Sequence, residues 1–97
     1  MTTKIVIFRL TDPKGVSFWS AFIDEVGMSG TGLEYRFSAE VGVEHTIRYT
    51  FAGQPGGSIK AEVIDHGEVV AFRDPAKIPL GATHSWDQLS FTIKGDS

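Results

Sequence analysis

The sequence predicts an all-β protein, an antiparallel β-sandwich of about seven strands with an immunoglobulin-like layout. Three observations carry this. Turn formers (Gly, Pro and Asp) recur roughly every 8–15 residues, with β-branched and aromatic runs between them. Three stretches alternate between apolar and polar side chains, the pattern of antiparallel strands with one buried and one wetted face. The chain is 41% hydrophobic and 22% charged, an ordinary globular composition, and its 97 residues suffice for one domain, 1–97, with no room for a second.

Residues 4–10, KIVIFRL, and 15–23, GVSFWSAFI, come first. Between them stands Asp12-Pro13-Lys14-Gly15, in which Pro suits the second position of a turn and Gly the φ > 0 of a bulge. This predicts a hairpin of strands 3–11 and 16–24 with Asp12 opposite Val16. Leu10 then meets Phe18, Val6 meets Phe22, Lys4 meets Asp24, and Arg9 meets Trp19 as a cation–π pair. The same residues also fit an α+β alternative with one short helix at 17–26. Trp19, Phe22, Ile23 and Val26 fall at i, i+3, i+4 and i+7, with Ser17 as N-cap and Gly27 as stop.

The middle of the chain alternates more cleanly. Leu33, Tyr35, Phe37 and Ala39 form one stripe, and Val43, His45, Ile47, Tyr49 and Phe51 a second. Ile59, Ala61 and Val63 supply a further core stripe, the fourth with that of the last strand, in a strand over 58–65. Asp65-His66-Gly67-Glu68 predicts a tight turn into 68–73. Residues 74–87, with two Pro and one Gly and no alternation, read as a crossing connection, and Leu89, Phe91 and Ile93 mark a last strand over 88–94.

The N-terminal hairpin differs from the rest because it is apolar on both faces. With Val6, Phe8, Leu10, Phe18 and Phe22 inward, a second surface of Ile5, Ile7, Arg9, Trp19, Ala21 and Ile23 is left over. Soluble monomers rarely expose several hundred Å² of contiguous apolar surface. The connection 74–87, a second copy of the chain or a ligand would have to cover it. Symmetric self-association is a common use of such a face.

Catalytic and metal signatures are weak. His45, His66 and His84 show no HxH, HxxxH or HExxH spacing, and zinc needs three or four ligands. His45 lies on the apolar side of its strand, where a hydrogen-bonded structural role is expected. No G-x-S-x-G occurs, so His84, Asp87 and any of the eight Ser residues do not define a triad. The glycine-rich loop Gly27, Met28, Ser29, Gly30, Thr31 and Gly32 precedes a strand rather than a helix, so it lacks the helix terminus of a phosphate loop and reads as a recognition loop. His84, Trp86 and Asp87 set an aromatic plate among hydrogen-bonding groups, a chemistry suited to sugar faces or to a partner's hot spot.

The formal charge of −3 is evenly spread, with five bases and six acids in residues 1–48 and four and six in the remainder. No basic cluster is present to engage a phosphate backbone, so nucleic acid is not an expected partner. No run approaches the roughly 18 apolar residues of a membrane span. The N-terminal MTTKIVIFRLTD lacks the apolar length and cleavage site of a secretory leader. With cysteine absent, this points to the cytoplasm, although a mature chain already relieved of its leader would read the same way. The expectation is a non-enzymatic β-sandwich binding module without cofactor, homo-oligomeric through its N-terminal hairpin face. The alternatives are a lectin-like carbohydrate-binding protein using Trp86 and His84, or a small inhibitor or effector acting on a protein partner through exposed loops, 27–32 or 54–57.

Overall fold

The structure is a computed structural model that describes residues 2–24, 26, 27 and 30–95. Its elements are all strands: β1 (Thr3–Ile23), β2 (Val26–Gly27), β3 (Gly30–Thr31), β4 (Glu34–Glu40), β5 (Glu44–Asp65), β6 (Glu68–Lys77) and β7 (His84–Thr92). All pairings are antiparallel.

Two long strands form the spine. β1 has 21 residues and β5 has 22, and they pair along nearly their whole lengths, from Ile7↔Ile64 to Ile23↔Ile47. The DPKG segment therefore does not close a hairpin, and residues 3–11 do not pair with residues 16–23. It bends one strand instead. Asp12 and Gly15 take left-handed φ values of 52° and 67°, and the β1–β5 register shifts three times between Thr11 and Phe18. Such bulges bend a strand and sharpen its twist without reversing it. β5 bends opposite this point, at Gly53-Gln54-Pro55-Gly56-Gly57. The helical alternative is likewise overturned, because residues 17–23 lie in β1 and make ladder bonds with β5.

The bend divides the sheet into two wings. In the first, the order is β3-β4-β1-β5-β6, using the N-terminal half of β1 and the C-terminal half of β5. In the second, the other halves of β1 and β5 are flanked by β2 and β7. The wings close face to face. The Phe8 ring of the first lies 5.7 Å from Tyr49 of the second, and Phe37 lies 5.9 Å from Phe91. Two layers thus arise from one folded sheet, whereas an immunoglobulin-like sandwich divides its strands between two sheets. The side chains between the layers form one core cluster that includes Val6, Leu10, Ile47, Phe51, Ile59, Val63, Leu89 and Ile93.

The bend also changes which residues face inward. Before it the buried positions of β1 are even (Val6, Phe8, Leu10), and after it they are odd: Ala21 is buried, with Trp19 and Ile23 packed against the core. Phe18 and Phe22, expected inside, stand outside. The six-residue interface predicted from sequence is therefore not one surface. Ile5, Ile7 and Arg9 lie on the outer face of the first wing, and Trp19, Ala21 and Ile23 line the inner face of the second. Arg9 pairs with Glu62 at 2.6 Å rather than with Trp19, and Trp19 Nε1 donates to the Gly32 carbonyl at 2.9 Å. Lys4 meets Asp65 rather than Asp24, at 3.7 Å.

The connection 74–87 is shorter than expected, since β6 runs to Lys77 and β7 begins at His84. Residues 78–83 cross from one wing to the other over the bend. Ile78 is buried beneath them, exchanging backbone bonds with Gly56 and Gly57 at 2.9 and 2.7 Å, and Gly53 N donates to the Thr83 carbonyl at 2.8 Å.

Candidate functional site

Three strands of the second wing, β1, β5 and β7, present an outer face whose composition follows from their registers. Side chains lie opposite one another in rows: Phe18, Ala52 and His84; Ser20, Thr50 and Trp86; Phe22, Arg48 and Gln88; then Thr46 and Ser90. Three large apolar groups stand exposed on this face: Phe18, Phe22 and Trp86, at 64, 39 and 58%. Adjacent strands lie about 4.8 Å apart, so the aromatic rows on β1 and β7 are roughly 10 Å apart across β5.

Polar groups fill the strip between them. Ser20 and Thr50 hydroxyls bond at 2.7 Å, and Thr46 and Ser90 at 3.1 Å. Arg48 stands between Phe22 and Gln88, its guanidinium carbon 5.5 Å from the centre of the Trp86 ring. This cation–π contact sets the guanidinium against the indole. A depression of about 490 Å³ opens beside them, lined by Phe22, Asp24, Thr46, Arg48 and Thr50.

Asp24 marks the far end of the depression, at the turn that leaves β1. Its Oδ1 accepts the Thr46 backbone N–H at 3.0 Å and its Oδ2 faces His45 Nδ1 at 2.7 Å. Burial opposes its ionisation, but these two bonds and the His45 charge outweigh that, holding the carboxyl below the usual carboxylate range. His45 is itself buried, as its place on the apolar stripe suggests, with its ring 5.6 Å from Phe91.

The sequence-derived trio His84, Trp86 and Asp87 is divided by this geometry. His84 and Trp86 share the outer face, but Asp87 points between the layers, where it accepts from the Tyr49 hydroxyl at 3.3 Å and pairs with Arg73 of the first wing at 3.1 Å. Burial first, and the Asp87 carboxylate after it, push the Tyr49 hydroxyl well above its ordinary range, so it stays a neutral donor. Asp87 ties the layers together and does not share the outer face with His84 and Trp86.

The glycine-rich segment is not a free loop throughout. Gly27 lies in β2 opposite Phe22, and Gly30 and Thr31 form β3 against β4; Met28 and Ser29 lie outside the described residues. Residues 54–57, the other proposed loop, belong to the bend of β5, and Gly57 is buried there.

Phe18, Phe22, Asp24 and Arg48 are the site residues that sequence reasoning missed. Arg48, Thr46 and Thr50 were visible as the polar side of an alternating strand. Nothing local told which aromatic side chains would stand beside them. Among the described residues no group of three or more His, Cys, Asp or Glu side chains is placed to hold a metal ion, and no helix is long and apolar enough to cross a membrane. No protein-family model, curated protein or solved structure matches the chain.

Proposed function

We propose that the protein is a non-enzymatic binding module that takes carbohydrate on the outer face of its second wing. One observation carries this reading: exposed Phe22 and Trp86 stand on the two strands flanking β5 on an open face, on either side of Arg48 and Thr50, with the Ser20–Thr50 and Thr46–Ser90 hydroxyl pairs beside them. Sugar rings offer a C–H face that packs on aromatic plates and a rim of hydroxyls that needs donors and acceptors, and this strip provides both. An open sheet face suits an extended β-1,4-linked chain better than a compact branched one. Isothermal titration with chitotetraose, cellotetraose and mannotetraose tests the proposal. Binding of at least one is expected, weakened tenfold or more by Trp86→Ala and by Phe22→Ala. Silence from all three, with no change in tryptophan emission, refutes it.

Self-association is a second reading, favoured by the opposite side of the molecule. Ile5, Ile7, Ile64, Val69 and Phe72 meet across β1, β5 and β6 on the outer face of the first wing, with Ile5 66% and Phe72 69% exposed. The charges within this patch, Arg9 and Glu62, already neutralise one another. A second copy stacked here through a two-fold axis would cover the apolar side chains. It would also leave two sugar-binding faces at the ends of the dimer, a source of avidity. Light scattering at high micromolar concentration is expected to give twice the chain mass, and the Phe72→Glu variant the chain mass. A wild-type monomer at that concentration removes the dimer while leaving the sugar face intact.

A further inference from the structure

The reading of the second wing as a sugar face can be taken one residue deeper. Asp24 sits at a turn with a left-handed backbone, φ 46°, a conformation Asp adopts more readily than most residues. Two donors fix its carboxylate, the Thr46 N–H and His45 Nδ1. Each carboxylate oxygen has one such donor and keeps a second lone pair, and half of the side chain is open to solvent at the depression. A carboxylate fixed in this way is suited to accept from two neighbouring hydroxyls of a sugar.

The His45 ring is tied on both sides. Nδ1 lies 2.7 Å from Asp24 Oδ2 and Nε2 lies 3.0 Å from the Glu40 carbonyl oxygen. Both partners are acceptors, so both bonds form only when the ring is an imidazolium with two N–H groups. Among the described residues the groups facing the ring are Asp24 from the turn after β1, Glu40 from the end of β4 and the Phe91 ring of β7; the charged ones are both acidic.

We propose that Asp24 is the hydroxyl-accepting residue of the sugar face and that protonated His45 is the positioning residue that holds it. Ligand affinity therefore falls as His45 loses its proton. A neutral ring has one N–H for two acceptors. It must release either Asp24 or the Glu40 carbonyl, and the bond it keeps is no longer charge-assisted.

The direction of the transition follows from the same contacts. Burial disfavours the charged ring, but the bonds to Asp24 and Glu40 and the charges of both acids outweigh it, raising His45 above the usual imidazole value of 6.5. A raised histidine keeps its proton at and below that usual value and loses it as pH rises through the higher one. Asp24, held below its usual value of 3.8, stays ionised above that value and is neutralised only as pH falls through the lower one. The tie is complete between these limits.

The test is isothermal titration of chitotetraose, cellotetraose and mannotetraose from about pH 5 to 9, with the His45 ring followed by proton NMR in the same samples. Wild-type affinity is expected to drop about tenfold across the His45 transition, with matching midpoints. The drop should persist in His84→Gln, which removes the imidazole that stands on the outer face itself. It should vanish in His45→Gln, whose amide does not titrate, and Asp24→Asn should bind about tenfold more weakly than wild type at pH 6. A flat wild-type profile, with binding still dependent on Trp86, overturns this proposal and leaves the sugar face standing. A drop that disappears in His84→Gln overturns it as well. Silence from all three sugars overturns both. Because the wild-type profile and its NMR midpoint need no substitution, a His45→Gln chain that fails to fold does not block the test.

Discussion

Gly53→Ala is expected to destabilise the fold by about 3 kcal/mol or more, the upper end of overpacking effects. At the bend β1 and β5 approach so closely that a Cβ on Gly53 would collide with the Gly15 carbonyl oxygen and come within 2.8 Å of the Val16 Cα. Both obstacles are backbone, so no rotamer change relieves them. The ladder would have to part at Val16↔Gly53, and the Gly53 N–H bond to Thr83 that holds the 78–83 connection would go with it. Gly57 is a second such position, where an added Cβ meets the Gly15 oxygen at 2.8 Å. Urea denaturation followed by circular dichroism measures the loss. A Gly53→Ala chain with a midpoint like the wild type would show that the strands are further apart at the bend than described.

Phe8→Ala should cost a comparable amount, about 3–5 kcal/mol, the usual range for deleting a buried phenyl ring. Phe8 is fully buried and touches both layers, with Tyr35 of its own wing at 6.1 Å and Tyr49 of the other at 5.7 Å. Removing it opens a cavity where the wings close on each other. A domain of this size has a total stability of roughly 5–15 kcal/mol, so the variant stands near the threshold of unfolding. The denaturant midpoint should fall while the slope stays constant, because the surface exposed on unfolding hardly changes. A loss below about 1 kcal/mol would mean that the wings do not pack through this ring.

The bend explains why residues 3–24 were harder to read than the rest. Pro13 with Gly15 and Pro55 with Gly56 are the residues of a reversing turn, and the same residues make a bulged bend. Which of the two forms depends on what residues 16–23 find to pair with. In this fold they find residues 47–53 of β5, far away in sequence. The bulges shift the register, and one residue of slip moves a strand's side chains to its other face. For this reason Phe18 and Phe22 left the core for the outer surface, and Trp19, Ala21 and Ile23 moved inward. The predicted apolar surface broke into two, and its first-wing portion, Ile5 and Ile7, was extended by Ile64, Val69 and Phe72.

The site was legible to the same degree. His84 and Trp86 stood out by their chemistry within a stretch read as a connection without alternation, and only the pairing of β7 with β5 puts both on one face and Asp87 on the other. His45 was legible as a buried, bonded residue. Its partners were not, because Asp24 and Glu40 come from elements separated from it by turns.

By itself the sequence determined the strand content, the antiparallel habit and the inward stripes of β4, β5 and β7, since a strand's two-residue period is written locally in its side chains. Only the tertiary structure decided that β1 and β5 each run through the bend, that one sheet supplies both layers, and that Phe22, Arg48 and Trp86 share a face. Those outcomes rest on pairings between distant segments and on the bulges that fit them together, and no local pattern of residues carries that information.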